Sequence, residues 1–192
     1  MKNNNIKIGR YSFEEYLAAA KSFHGYAAPG VIIGGIMVDF AMEHMPEGVL
    51  FNALCETSSC LPDAIQLLTP CTIGNGWLTV RGLGLFALSL YDKYKGNGVR
   101  VFLDSGRLEN YPEINSWLFK LKPKGEQNKD LLLEQIKEAG RDICGMQKIC
   151  IASQYLGKHS KGNILSCSKC GEAYPVKDGS ICLSCQGKSP YT

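Results

Sequence analysis

Several things are scarce or absent in this chain, and each narrows what it does. No stretch stays apolar for the roughly 18 residues a membrane span needs. The most apolar run, Gly30 to Ala41, is interrupted by Asp39. Met1 to Arg10 is polar and carries no apolar segment of the export-signal kind, so a cytoplasmic location is expected and no membrane association. There is no phosphate-cradling P-loop, no dinucleotide fingerprint and no ferredoxin-type cysteine run. Internal repeats and low-complexity tracts are also missing. An excess of one charge is confined to the tail: residues 157–192 carry five lysines against Glu172 and Asp178, which accounts for the whole net charge of +3. The remaining 156 residues are balanced and give no electrostatic reason to bind nucleic acid.

What is present reads as a globular protein, with 45% hydrophobic and 20% charged residues in 192. That length suits one core of ordinary size, residues 1–156, and a small module, residues 157–192. Nine cysteines is a high count. Without an export signal they read as thiols and metal ligands rather than disulfides.

Along the chain, Ser12 with Glu15 forms a capping-box pattern for a helix to about Phe23, and Gly25 stops it. Pro29 opens an almost wholly apolar helix over about 30–45. Its internal Gly34 and Gly35 imply that another backbone packs close. Residues 48–56, 77–81, 83–91, 99–104 and 148–155 read as strands, and short turns between neighbours argue for antiparallel pairing. Tyr111 to Lys120 reads as a short helix, Pro123-Lys124-Gly125 as a break, and Lys129 to Gly145 as an amphipathic helix. The expected architecture is α+β: a mainly antiparallel sheet packed with helices, plus a small C-terminal zinc-ribbon module.

The stretch from Cys55 to Gly76 is the centre of the chemistry. A short helix runs between Cys60 and Cys71, with Ser58 or Ser59 as its cap, Pro62 in its first turn and Thr69-Pro70 ending it. Cys60 lies at its N-terminus, where a thiolate is favoured, and Cys71 lies beyond its C-terminus. His24 sits at the junction of the first two helices. From spacing alone, His24, Cys60 and Cys71 read more readily as capping and core residues than as a shared site. Cys55, Cys144 and Cys150 fall in strand or helix patterns and are expected in the core.

Cys167-x-x-Cys170-Gly, eleven residues, then Cys182-x-x-Cys185 is the most specific motif in the chain. Each C-x-x-C turn presents two thiolates, and two such turns complete a tetrahedral four-sulfur shell. A module this small needs the metal to fold. Zinc is the expected ion, with iron as the alternative. Four thiolates leave no open position, so its role is structural.

Phe23-His24-Gly25 with Pro29-Gly30, then Glu56-Thr57, Cys60, Asp63-Ala64-Ile65-Gln66, Leu68-Thr69, Cys71-Thr72 and Gly74, resembles the E-subunit family of formylmethanofuran dehydrogenase. The resemblance implies an α+β core, a homodimer, a metal near the His/Cys motifs, and a partner in a molybdenum or tungsten enzyme. The chain departs from the family's His-Gly-His-x-Cys-Pro-Gly pattern, since Tyr26 stands for the second histidine and Ala28 for the cysteine. What remains is a Cys₂His set of His24, Cys60 and Cys71, with zinc as the expected core ion. Asp63 is either an acceptor that orients His24 or a plain helix N-terminal charge.

Two functions follow. One is a metal-binding accessory protein with a core His/Cys site and a structural zinc ribbon. The other is a hydrolase-like metal-dependent enzyme with an open Cys₂His site and Asp63 or Glu56 as general base.

Overall fold

The computed structural model describes residues 6–157 and 162–191. The chain divides into two compact units, Met1–Leu156 and Gly157–Thr192. The expected linker at 157–162 lies largely outside the described residues.

The first unit opens with a two-residue hairpin, β1 (Lys7–Ile8) and β2 (Tyr11–Ser12), that leads directly into α1 (Phe13–His24). The capping box forms as expected: Glu15 N–H donates to the Ser12 hydroxyl, and the Glu15 carboxylate accepts from Ser12 N–H at 2.8 Å. Gly25 ends the helix in the left-handed region, with φ of 92°. The central helix α2 (Pro29–Met42) begins with Pro29 in its first turn and is buried on nearly every side. Its glycines make this possible. A Cβ on Gly34 would lie 2.9 Å from Ala64 Cβ and 3.0 Å from Leu61 Cδ1, so it lets helix α3 (Leu61–Leu68) approach. Gly35 instead makes room for the ring of Tyr16 from α1, whose hydroxyl donates to the Val31 carbonyl at 3.0 Å.

The sheet runs in the order β4-β3-β5-β6-β7, with β3 at Phe51–Cys55, β4 at Leu78–Val80, β5 at Ala87–Asp92, β6 at Asn97–Leu103 and β7 at Cys144–Cys150. Its pairings are antiparallel except one: β4 lies parallel to β3. The reason is α3, which carries the chain across between them, as a parallel neighbour requires. Residues 83–91 therefore do not form a hairpin with 77–81, because β3 sits between β4 and β5. Ala53 and Cys55 stand opposite Leu90 and Leu88, which stand opposite Val99 and Val101. All six belong to the core shared with α2.

Helix α4 (Pro112–Leu118) is followed by α5 (Lys129–Ala139). Helix α5 stops six residues before the expected Gly145, because Gly140 takes φ of 51° and the chain tightens into a 3-10 turn. Ile143 reaches the core from that turn, and β7 begins at Cys144 rather than 148. Cys55 and Cys144 are buried as expected. Cys150, at the end of the outer strand β7, is exposed. Among the described residues no single helix is long and apolar enough to cross a membrane.

In the second unit, β8 (Ile164–Ser166) pairs antiparallel with β9 (Ala173–Pro175), and a helical turn, Ser184–Lys188, follows.

Candidate metal centres

The cysteine module is built from local geometry. The hairpin β8–β9 turns through Cys167 and Cys170. Gly171 closes the turn, donating its N–H to the Cys167 carbonyl at 2.8 Å with φ of 78°. Cys182 and Cys185 arrive at the start of the last helical turn, where the Cys185 N–H donates to the Cys182 sulfur at 3.4 Å. All four sulfurs lie within 4.8 Å of one another, and the Cys170 and Cys182 sulfurs are 3.6 Å apart. Hydrogen bonds from the Cys182 and Cys170 backbone amides pull the Cys167 thiol below its usual range, while bonds to the Cys182 and Cys170 sulfurs push Cys185 up. Four sulfurs this close resist ionising together unless a cation compensates them, and tetrathiolate zinc supplies that compensation.

The core constellation is smaller than expected. His24, the last residue of α1, places Nδ1 2.6 Å from the Asp63 carboxylate, in the first turn of α3. Its Nε2 lies 3.9 Å from the Cys60 sulfur. Cys60 occupies the cap position of α3 with φ of 58° and ψ of −54°, and Leu61 N–H donates across it to the Ser59 carbonyl at 2.6 Å. This is a γ-turn of the strained hand, rarely adopted by a residue with a side chain. Neither Ser58 nor Ser59 provides the expected cap. The bare Gly30 at the start of α2 leaves room for the turn, since a Cβ there would lie 2.8 Å from Cys60 Cβ and 3.0 Å from its sulfur. Burial raises the Cys60 pKa, with the Asp63 charge adding and Lys124 opposing. The helix N-terminus therefore does not make it a ready thiolate.

Cys71 does not join this group. It is fully buried, and its thiol donates to the Phe51 carbonyl at 3.5 Å. Helix α3 has eight residues and is about 12 Å long, so cysteines flanking its two ends cannot both reach one ion. Among the described residues, the four C-terminal cysteines are the only set of three or more candidate ligands that converges. Glu56 is also engaged elsewhere. Arg100, itself half-buried, holds both oxygens of the buried Glu56 carboxylate, at 2.6 and 2.7 Å.

The model of the family described as "FmdE, Molybdenum formylmethanofuran dehydrogenase operon" matches residues 23–151, and that of the FmdE treble clef zinc finger matches residues 158–192. The chain belongs to the FmdE family. A crystal structure of an FmdE-like protein of the tungsten formylmethanofuran dehydrogenase type, from Syntrophus aciditrophicus, superimposes with a TM-score of 0.91 at 54% identity, covering 98% of this chain and 99% of that one. A probable S-adenosyl-L-methionine-binding protein from Archaeoglobus fulgidus is 29% identical over 95% of this chain, which spans 57% of that relative's length. The zinc-finger match and the four converging sulfurs make this FmdE protein a metal-binding one.

One feature of this FmdE domain is not legible in periodicity or motif. A cleft of about 1050 Å³ runs up to Cys60 and Gly30 from a wall formed by residues 117–133. The cue in the sequence is the spacing of Lys120, Lys122, Lys124 and Lys129 around a Pro-Gly break, which by local pattern reads only as the end of a helix.

Proposed function

We propose that the protein is a metal-binding accessory protein with two centres: a structural zinc in the C-terminal module, and a core ion held by Nε2 of His24 and the sulfur of Cys60. The observation that carries the core centre is the 3.9 Å gap between those two atoms, together with the carboxylate on the far nitrogen. Zinc bonds of about 2.3 Å to sulfur and about 2.0 Å to nitrogen at a tetrahedral angle need a separation of about 3.6 Å. Asp63 on Nδ1 fixes the ring and leaves Nε2 to bind, the arrangement that metal-ligating histidines use. With Tyr26 and Ala28 in place of the family pattern's histidine and cysteine, the protein supplies two donors, and the other positions belong to a ligand or partner.

The hydrolase-like alternative is less well supported, because both carboxylates expected as general base are occupied: Asp63 by His24, Glu56 by Arg100. In this accessory role the proposed partner is a molybdenum or tungsten enzyme, a choice supported by the names of the family and of its structural relative, and the proposed assembly is a homodimer.

Elemental analysis of purified protein tests the core centre. Two equivalents of metal per chain are expected, falling to one in His24→Ala and Cys60→Ser and staying at two in Cys71→Ser. One equivalent throughout, lost only when the C-terminal cysteines are replaced, would leave the zinc module and remove the core centre.

A further inference from the structure

The cleft beside Cys60 is lined in two ways. Ile32, Trp117 and Leu132 give it an apolar, partly aromatic floor. Lys120, Lys122, Lys124 and Lys129 stand around it, with Asp130 as the one carboxylate of the lining. Lys122 is committed to Glu113 at 3.0 Å. Lys120, Lys124 and Lys129 have no carboxylate partner among the described residues. The Lys124 ammonium lies 5.6 Å from the centre of the Tyr26 ring, which also lines the cleft. Lys120 holds a left-handed backbone, φ of 53°, a conformation that costs energy in a residue with a side chain.

Lysines usually scatter over a surface among acids. Gathering three unpaired ones around an apolar floor is unfavourable by itself, and the low-dielectric walls concentrate their field inside the cleft. An anion offsets that repulsion, and the floor asks for a flat apolar body. The volume lies at the upper end of small-molecule sites.

We infer that this cleft binds an organic anion: a carboxylate or phosphate carried on a ring-bearing, apolar body, with its charge among Lys120, Lys124 and Lys129 and its ring against Trp117. The cleft adjoins the core centre through Cys60, but its lysines and apolar floor do not rest on the metal reading. It places the bound molecule beside Cys60, which lines the cleft.

The probe is 8-anilinonaphthalene-1-sulfonate, a ring-bearing anion. Trp77→Phe leaves Trp117 as the remaining tryptophan. In that background dye binding should quench Trp117 emission by energy transfer. Each of Lys120→Gln, Lys124→Gln and Lys129→Gln should weaken binding about 2- to 5-fold, and the triple variant by more than tenfold. Raising salt from 50 to 500 mM should weaken the parent and not the triple variant. Competition by an aryl carboxylate and by a nucleoside monophosphate separates the two anion types. Thioflavin T, a ring-bearing cation, should bind poorly. Equal binding of the cation, indifference to the lysines, or dye binding only on dissociation of a dimer, which would assign the cleft to a second copy, would each overturn the inference. Metal content of the same samples keeps this result separate from that of the core centre.

Discussion

Replacing Gly35 with alanine adds one methyl group, and helix propensity by itself makes that change favourable by about 1 kcal/mol. The surroundings reverse the sign. The new carbon would lie 2.6 Å from Cε1 of Tyr16, and nearer still to Cζ and the hydroxyl, where contacts of about 3.5 to 4.0 Å are normal. Tyr16 is fully buried and cannot swing into solvent. Moving it costs about 1–3 kcal/mol of overpacking and another 1–3 kcal/mol if its bond to the Val31 carbonyl breaks. The net expectation is a loss of about 3 kcal/mol. For a unit of this size that lowers the melting temperature by about 6–12 °C. Urea or thermal unfolding of Gly35→Ala beside Gly82→Ala measures it, since a Cβ at Gly82 meets nothing within 4 Å. Gly82→Ala should stay within about 0.5 kcal/mol of the parent. Tyr16→Leu combined with Gly35→Ala should recover part of the loss, giving a coupling of about 1–2 kcal/mol in the double-mutant cycle. A Gly35→Ala protein as stable as the parent, with no coupling to Tyr16, would refute the described packing of α1 on α2.

Two further outcomes follow from buried groups. Glu56→Gln removes the charge that the half-buried Arg100 guanidinium grips with two hydrogen bonds and should cost about 1–3 kcal/mol in urea unfolding, with metal content unchanged. Burial pushes the thiols of Cys55 and Cys144 up to about 11 and about 12 from an ordinary 9.0, so above pH 9 the unfolded chain loses these protons first. Stability should therefore fall between pH 9 and 11, with a slope of up to about 1.4 kcal/mol per pH unit for each thiol. Cys144→Ala should remove that thiol's share of the slope, up to about 1.4 kcal/mol per pH unit, in unfolding followed under reducing conditions.

The structure also shows which residues carried their own instructions. Ser12 and Glu15 cap α1 because a capping box is completed within four residues, whatever packs around it. Thr69-Pro70 ends α3 because proline restricts its neighbour directly. The boundary of α5 was not legible, because apolar periodicity runs on past Gly140 to Ile143, and only the backbone shows that Ile143 enters the core from a 3-10 turn. The parallel placement of β4 was hidden for a similar reason. Residues 77–91 contain two extended stretches joined by glycines, but β3 claims the place between them.

By itself the sequence determined the four-cysteine module, since two C-x-x-C turns fix the donors through local geometry alone. It also determined that His24 stands at a helix end and Cys60 at a helix start. Only the tertiary structure decided which of these residues meet. Seating Gly30 under the strained turn at Cys60 brings the thiol toward His24 and Asp63, while the length of α3 sends Cys71 into the core. The lysine-walled cleft is likewise a product of folding, because the segment after α4 must lie along the start of α2 before its charges share one space.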